Sequence, residues 1–500
     1  MRKLILLLAL LLSLAASAQP RSAVRTRLDS IAALEPLRSS VLGVLAVRMN
    51  GDTLADLAST TRLVPASNVK LLTTGLALHV LGPDFRYETR LCSRGDVLDG
   101  VLHGDLYIVG TGDPTLAAGY AENIPADSLF ADWKRILERA GVREITGRII
   151  GDDRWFDGEA MNGDWSLEDL GTYYGASPTG LNFFENIQTV SVAPADTLGL
   201  PVLAEAVYPP APWLNLQVRA KTWRKGTGDG LSYFNTPLSP YAELRGTYAI
   251  DNRPKTLECS NRFAAYSCAQ LFHDFLNENG LAVRGGYADL DAAEMIRTDL
   301  EFTERLEAAA PVSSLTILGS TWSDRLSRIV TRANHDSDNF YAETLLRTLG
   351  KQIRGSASFD SCYVALDDAF ATLGIRSAGQ VQLRDGSGLS RKDFVSPAFF
   401  VEFLHRMMAA PEGDLFLHSL PQPGKGTLQL RMQKAPRSTK DRIYMKSGSM
   451  NGVRCFSGYI LSPSGRPEET VVFSILVNNI SRGASTALSL IDSMILTLAE

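Results

Sequence analysis

Ser67 and Lys70 stand three residues apart in the stretch Pro65-Ala66-Ser67-Asn68-Val69-Lys70. On a helix that spacing puts both side chains on one face, with Cβ atoms about 5–6 Å apart. A lysine amine at that distance can take the proton of a serine hydroxyl, provided the amine is itself neutral. An ordinary lysine titrates near ~10.4, whereas a general base works best at roughly 7–8. The fold must therefore favour the neutral amine by ~4 kcal/mol. Burial and a neighbouring cation both act in that direction, and Lys446 is the candidate neighbour. Backbone N–H groups at the helix start would favour negative charge developing at Ser67. The plain alternative is that Ser67 caps a helix. Ser-x-x-Lys arises by chance about once or twice in a chain of this size, so the pair alone does not identify a catalyst.

Two later motifs add to it. Ser337-Asp338-Asn339 opens a helical stretch whose buried positions are Phe340, Leu345 and Leu346. Its hydroxyl suits a proton relay and its amide a substrate carbonyl, although a helix cap explains the same residues. Ser449-Met450-Asn451 repeats the pattern and reads better as a hairpin turn. Lys446-Ser447-Gly448 falls on an edge-like strand. There Lys446 offers a cation for a carboxylate, Ser447 a hydroxyl, and Gly448 a backbone that a ligand can approach without meeting a Cβ. The N–H groups of Ser449 and Ser67 would make a two-donor oxyanion hole, and losing one such donor typically costs ~2.7–4 kcal/mol of barrier. A solvated strand lysine is the alternative for Lys446.

The whole chain limits what these residues serve. Its 500 residues are too many for one core, so two or three domains are expected. Arg2 and Lys3 precede an apolar run from Leu4 to Leu14, then Ala16-Ser17-Ala18 and Gln19, the layout of a secretory signal peptide. The run is shorter than the roughly 20 residues that span a bilayer. Cleavage after Ala18 is expected, leaving an extracytoplasmic, periplasmic chain without a stable membrane span. Loss of Arg2 and Lys3 takes the formal charge from −5 to −7, which argues against a nucleic-acid partner. The five cysteines leave at least one thiol unpaired; Cys259 and Cys268 are nearest in sequence, but spacing does not establish a bond. The absence of a Gly-x-Ser-x-Gly elbow disfavours an α/β-hydrolase. The six histidines are scattered and no His-Glu-x-x-His occurs, so neither a zinc site nor any other cofactor is implied.

The elements that must position the motifs are legible at both ends. A helix over residues 24–36 shows Val24, Leu28, Ile31 and Leu34 on one face; a strand follows from Val41 to Met49, then an Asn50-Gly51 turn and a second strand over Thr53–Leu57. A helix begins near Ser67 and stops at Gly82-Pro83. Near the other end, Arg442–Ser449, Asn451-Gly452 and Val453–Leu461 form a hairpin, Thr470–Val477 a dense apolar strand, and residues 484–498 a helix. A sheet fed from both ends implies one discontinuous domain, with a mostly helical stretch at about 300–410. From Cys92 to Pro254 the chain is rich in Gly, Asp, Pro and short alternating apolar runs, with one helix near Ala126–Ala140, as expected of β-rich inserted material.

Three motifs in this order are accompanied by Gly104-Asp105-Leu106-Tyr107, Gly112-Asp113-Pro114-Thr115-Leu116 and Gly151-Asp152-Asp153. Ala342-Glu343 follows the second motif, and Asp385-Gly386-Ser387-Gly388-Leu389-Ser390-Arg391 and Gly426-Thr427-Leu428 come later. Together they resemble the penicillin-binding protein 4 type (class C low-molecular-mass) D-alanyl-D-alanine carboxypeptidase/endopeptidases. The resemblance covers most of the mature chain, and the long insert after the Ser-x-x-Lys helix is its most distinctive trait. It implies an α+β fold with a discontinuous, penicillin-recognising serine transpeptidase-like domain. That domain would hold an antiparallel sheet with helices on both faces and a helical subdomain. Residues 19–91 and 255–500 would form it, and 92–254 the β-rich insertion, as two small domains. Ser67 would be the acylated nucleophile, Lys70 the base, Ser337 and Asn339 the relay and substrate contact. Lys446 and Ser447 would bind the terminal carboxylate, while Asp152 and Arg391 resemble positions that reach the peptide stem. Ser447 stands where the family usually has threonine, and Met450 after Ser449 is a second departure. The implied substrates are D-Ala-D-Ala termini or D-Ala–diamino acid cross-links of peptidoglycan, with penicillins as acylating agents. A β-lactamase or esterase, or a catalytically idle wall-binding protein, are the alternatives on that fold.

Overall fold

The computed structural model describes residues 23–118, 125–236, 239–290 and 311–500. The expected signal peptide lies outside the described residues, as does part of the stretch near 300. Among the described residues no helix is long and apolar enough to cross a membrane. The chain divides into two compact units, one holding the described residues up to Asn68 with Phe394–Ala409 and Leu420–Glu500, the other Val69–Asp393 with Ala410–Ser419.

The first unit is built on a five-stranded antiparallel sheet, ordered Ile443–Met450, Val453–Ile460, Val471–Asn478, Val41–Arg48, Thr53–Leu57. Gly51 takes a φ of +96° in the hairpin turn that the Asn50-Gly51 pair predicts. Val471–Asn478 is buried along its whole length because both faces of the sheet are covered. Phe473, Ile475 and Val477 pack with Leu28 of the Ala23–Ala32 helix and Ile491, Met494 and Ile495 of the Ala484–Ala499 helix. On the other face the Pro397–Ala409 helix receives the Tyr459 hydroxyl at Leu404 O, 2.8 Å. Gly43 is required there, since a Cβ would lie 2.9 Å from Pro397 Cγ. Leu34, expected on the buried face of the first helix, is 51% exposed because that helix ends at Ala32.

The second unit carries a seven-stranded sheet in which Val101–Gly110 pairs with Glu88–Leu98, Glu144–Ile145 and Ile149–Asp152. Strands from later in the chain, Ala282–Val283, Tyr287–Leu290 and Thr316–Trp322, complete it, so this sheet is not closed by residues 92–254 alone. Its core includes Leu106, Ile108, Phe130, Trp133, Phe183 and Phe272, with the Ala126–Arg139 and Ala264–Glu278 helices against it. A separate core around Val190, Val192, Leu244, Tyr248 and Cys259 is formed by small sheets between residues 187 and 260. The helical part comprises Val69–Leu81, Leu326–His335, Asn339–Arg354 and Phe359–Thr372. All five cysteines are buried and free, Cys259 and Cys268 included.

Candidate active site

In the first unit Ser67 sits half-buried in a 3-10 turn, Ala66–Asn68, rather than within the α-helix, which starts at Val69. Ala66 takes a φ of +47°, a conformation that neighbouring contacts must hold. Asn478 supplies one hold: its side chain accepts from Val64 N at 2.8 Å and donates to Val64 O at 3.0 Å. Asn68 supplies another, donating to Ser457 Oγ at 2.8 Å, which donates in turn to Ser474 Oγ at 2.8 Å. These residues run across one face of the sheet. Lys446 lies on that face too, directly opposite Ser457 in the register.

Lys446-Ser447-Gly448 is on the sheet's edge strand, as expected, but Lys446 is buried, with its Nζ donating to Ser447 O at 2.8 Å. Ser447 Oγ lies 3.3 Å from Thr427 Oγ1. Gly448 packs on the serine turn so closely that a Cβ would be 2.6 Å from Pro65 O and 3.1 Å from Asn68 N. The glycine thus brings the exposed Ser449 strand end alongside the Ser67 turn.

In the second unit Lys70 is fully buried in the first turn of the Val69–Leu81 helix. Its Nζ donates to Asn339 Oδ1 at 2.6 Å and to the Ser387 carbonyl at 2.7 Å. Burial pushes the amine down from its ordinary value to about 8, while the Asp385, Glu343 and Asp338 carboxyls pull the other way. Ser337 precedes the Asn339–Arg354 helix in a left-handed conformation, φ +62°, and Asp338 caps the helix by accepting from Tyr341 N. The cap is therefore Asp338, which leaves Ser337 just outside the helix and Asn339 on its first turn. Asn339 Nδ2 donates to Tyr174 O at 2.9 Å, so the loop around Tyr174 fixes which way the amide faces.

Sequence reasoning assigned no role to several residues of this cluster, although Glu343, Asp385 and Ser387 lie in motifs that carry the resemblance. Ser387 contributes a backbone carbonyl, which side-chain motifs do not reveal. Glu343, Asp385 and Asp393 are buried carboxyl groups around the 385–393 loop. Asp385 accepts from Gly388 N, Ser390 N and Trp165 Nε1. Burial pushes the Glu343 carboxyl up to about 8, with Asp385 adding to the shift. Tyr174 donates its hydroxyl to Asp169 at 3.2 Å, and the Arg391 charge acts on Asp169 as well. Arg391 is exposed, whereas Asp152 is buried and takes three hydrogen bonds from Arg154, two from the guanidinium at 2.9 and 2.7 Å and one from the backbone N–H at 3.2 Å. Asp152 lies at the end of the Ile149–Asp152 strand.

Residues 24–500 match the model of the D-Ala-D-Ala carboxypeptidase 3 (S13) family. The D-alanyl-D-alanine carboxypeptidase of Actinomadura sp. (strain R39) is 30% identical over 496 residues, 95% of this chain and 84% of that protein. D-alanyl-D-alanine carboxypeptidase DacB of Haemophilus influenzae is 25% identical, covering 89% and 86%. The crystal structure of penicillin binding protein 4 (dacB) from Haemophilus influenzae has a TM-score of 0.78 at 23% identity, over 95% of this chain and 99% of that one. The same protein complexed with a novel β-lactam gives a TM-score of 0.71 at 22% identity, over 94% and 98%. These likenesses bear out the α+β fold. With the family model matched across nearly all of its length, the chain belongs to the D-Ala-D-Ala carboxypeptidase 3 (S13) family and is a hydrolase of the D-alanyl-D-alanine carboxypeptidase type.

Proposed function

We propose that the chain is a serine D,D-peptidase that cleaves D-Ala-D-Ala termini, or D-Ala–diamino acid cross-links, of peptidoglycan through an acyl-Ser67 intermediate. The observation that carries this reading is Lys70: a fully buried amine at about 8, held by Asn339 Oδ1 and Ser387 O, three residues from a serine. At pH 7.5 roughly a quarter of such amines are neutral, against about one in a thousand for an unperturbed lysine. Neutral Lys70 takes the Ser67 proton as Oγ attacks the penultimate D-Ala carbonyl. The N–H groups of Ser67 and Ser449 receive the oxyanion, and the proton passes through Ser337 to the departing amine. Water then releases the acyl group by the reverse proton path. Lys446 and Ser447 anchor the terminal carboxylate, and Gly448 leaves room for the peptide. Asn339 contacts its carbonyl, and Asp152 and Arg391 are the candidates for the stem.

β-Lactams present the same carboxylate and a strained amide to the same serine, and the β-lactam complex of the Haemophilus influenzae relative supports that expectation. A secreted chain, cleaved after Ala18 and acting in the periplasm, fits the substrate. Intact-protein mass spectrometry with fluorescent penicillin tests the proposal. A single long-lived adduct that Ser67→Ala abolishes is expected. Labelling of the variant would sink the assignment, and rapid turnover of the adduct would favour a β-lactamase.

A further inference from the structure

Asn339 and Glu343 are four residues apart on one helix and share a face. Asn339 touches Lys70 directly. Glu343 is 1% exposed, and its Oε1 accepts from Gly386 N at 3.0 Å and Ser387 N at 2.8 Å. The loop they belong to lies flush on the helix, since a Cβ at Gly386 would be 2.7 Å from Ala342 O. Thr73, one turn beyond Lys70, donates to Gly386 O at 2.8 Å. The Gly386–Ser387 peptide, which leads into the carbonyl that receives Lys70, is therefore held at its N–H by Glu343 and at its carbonyl by Thr73, while Asp385 takes the next N–H, Gly388 N, at 2.6 Å.

We propose that Glu343 is a positioning residue for the general base: by binding the Gly386 and Ser387 N–H groups it aims the Ser387 carbonyl at Lys70 and so keeps the amine against Asn339. This rests on the reading of Lys70 as the base. The charged and titratable groups facing Glu343 are Lys70, the loop carboxyls Asp385 and Asp393, Arg347 on its own helix, and Cys362 and Tyr363 on the next. In that setting a neutral carboxyl is favoured, and a neutral carboxyl offers the loop what an amide offers: one carbonyl oxygen accepting two N–H groups. The role is geometric, and it does not call for a negative charge.

Three variants separate geometry from charge in the full-length protein, read by the rate of acylation with fluorescent penicillin from pH 6 to 10. Glu343→Gln keeps the acceptor and should stay within about threefold of wild type, with a pH inflection at or below that of wild type because the Glu343 carboxyl itself pulls the Lys70 amine up. Glu343→Ala should lose about 100-fold, as a misplaced catalytic group does, without weakening the initial non-covalent binding. Its inflection should also move up from about 8, because a loosened Lys70 is less buried. Glu343→Asp keeps the carboxyl but is one methylene short, and should behave like Glu343→Ala; it carries the test if the alanine variant does not fold. A wild-type rate and inflection in Glu343→Ala or Glu343→Asp would overturn the proposal, as would a Glu343→Gln as impaired as Glu343→Ala. Lys70→Ala distinguishes the two readings. If it acylates at the wild-type rate the base assignment fails, whereas with an inactive Lys70→Ala the Glu343 outcomes report on positioning alone.

Discussion

Acylation of Ser67 should follow the protonation of Lys70, and the structure sets where. The amine is fully buried, and burial lowers it from 10.5 to about 8 against the pull of three carboxyls. The neutral fraction is then about 1% at pH 6, half at pH 8 and about 90% at pH 9. The second-order rate constant with a β-lactam should therefore climb about 90-fold from pH 6 to 9, nearly tenfold per pH unit at first and levelling off above 8. An exposed lysine would give a rise of about 1000-fold over the same range with no levelling. Stopped-flow fluorescence at constant ionic strength, with adduct stoichiometry confirmed by mass, distinguishes the curves. A rate independent of pH between 6 and 8.5, or one still rising tenfold per pH unit above 9, would refute the reasoning. Stability provides an independent check. A lysine whose folded pKa is depressed holds fewer protons folded than unfolded between about 8 and 10.5, so its contribution rises with pH across that window. Below it the buried amine costs about 3 kcal/mol. Lys70→Met should thus be inactive and, at neutral pH, more stable than wild type, the trade-off expected of a strained site.

The remaining predictions concern what holds the cluster and the serine turn. Gly448→Ala would drive a Cβ to within 2.6 Å of Pro65 O and displace the turn carrying Ser67; a stability loss of about 1–3 kcal/mol in denaturant titration and a fall in acylation rate larger than that loss alone explains are expected. Trp165→Phe removes the 2.9 Å bond from the indole N–H to Asp385 and should cost about 1.5–3 kcal/mol, with faster amide exchange at Gly388 and Ser390; unchanged exchange there would show that Asp385 holds the loop without Trp165.

Local chemistry was legible where residues lie close along the chain. The hairpin at Asn50-Gly51, the strand Val471–Asn478 and the terminal helix follow from turn residues and apolar runs that need no distant partner to be recognised. The same holds for the order of the three motifs along the chain. Ser67 itself departs from its expected helix because tertiary holds from Asn478 and Ser457 keep the turn at Ala66 in a conformation that local preference disfavours.

What the sequence by itself determined, then, is which groups are available and which of them share an element. Whether they can act was decided by contacts between residues hundreds of positions apart. The depressed Lys70 amine comes first from burial, a property of everything packed around it, and its partners Asn339 and Ser387 lie 269 and 317 residues away. A backbone carbonyl such as that of Ser387 has no signature in the residue types, and Glu343, although it stands in a motif of the resemblance, has no assignable role until the 385–393 loop is seen folded against it. Asp152 is a local case: its guanidinium partner, Arg154, stands only two residues on. A side chain's chemistry is local, whereas its protonation, its partners and its access to water belong to the packed whole.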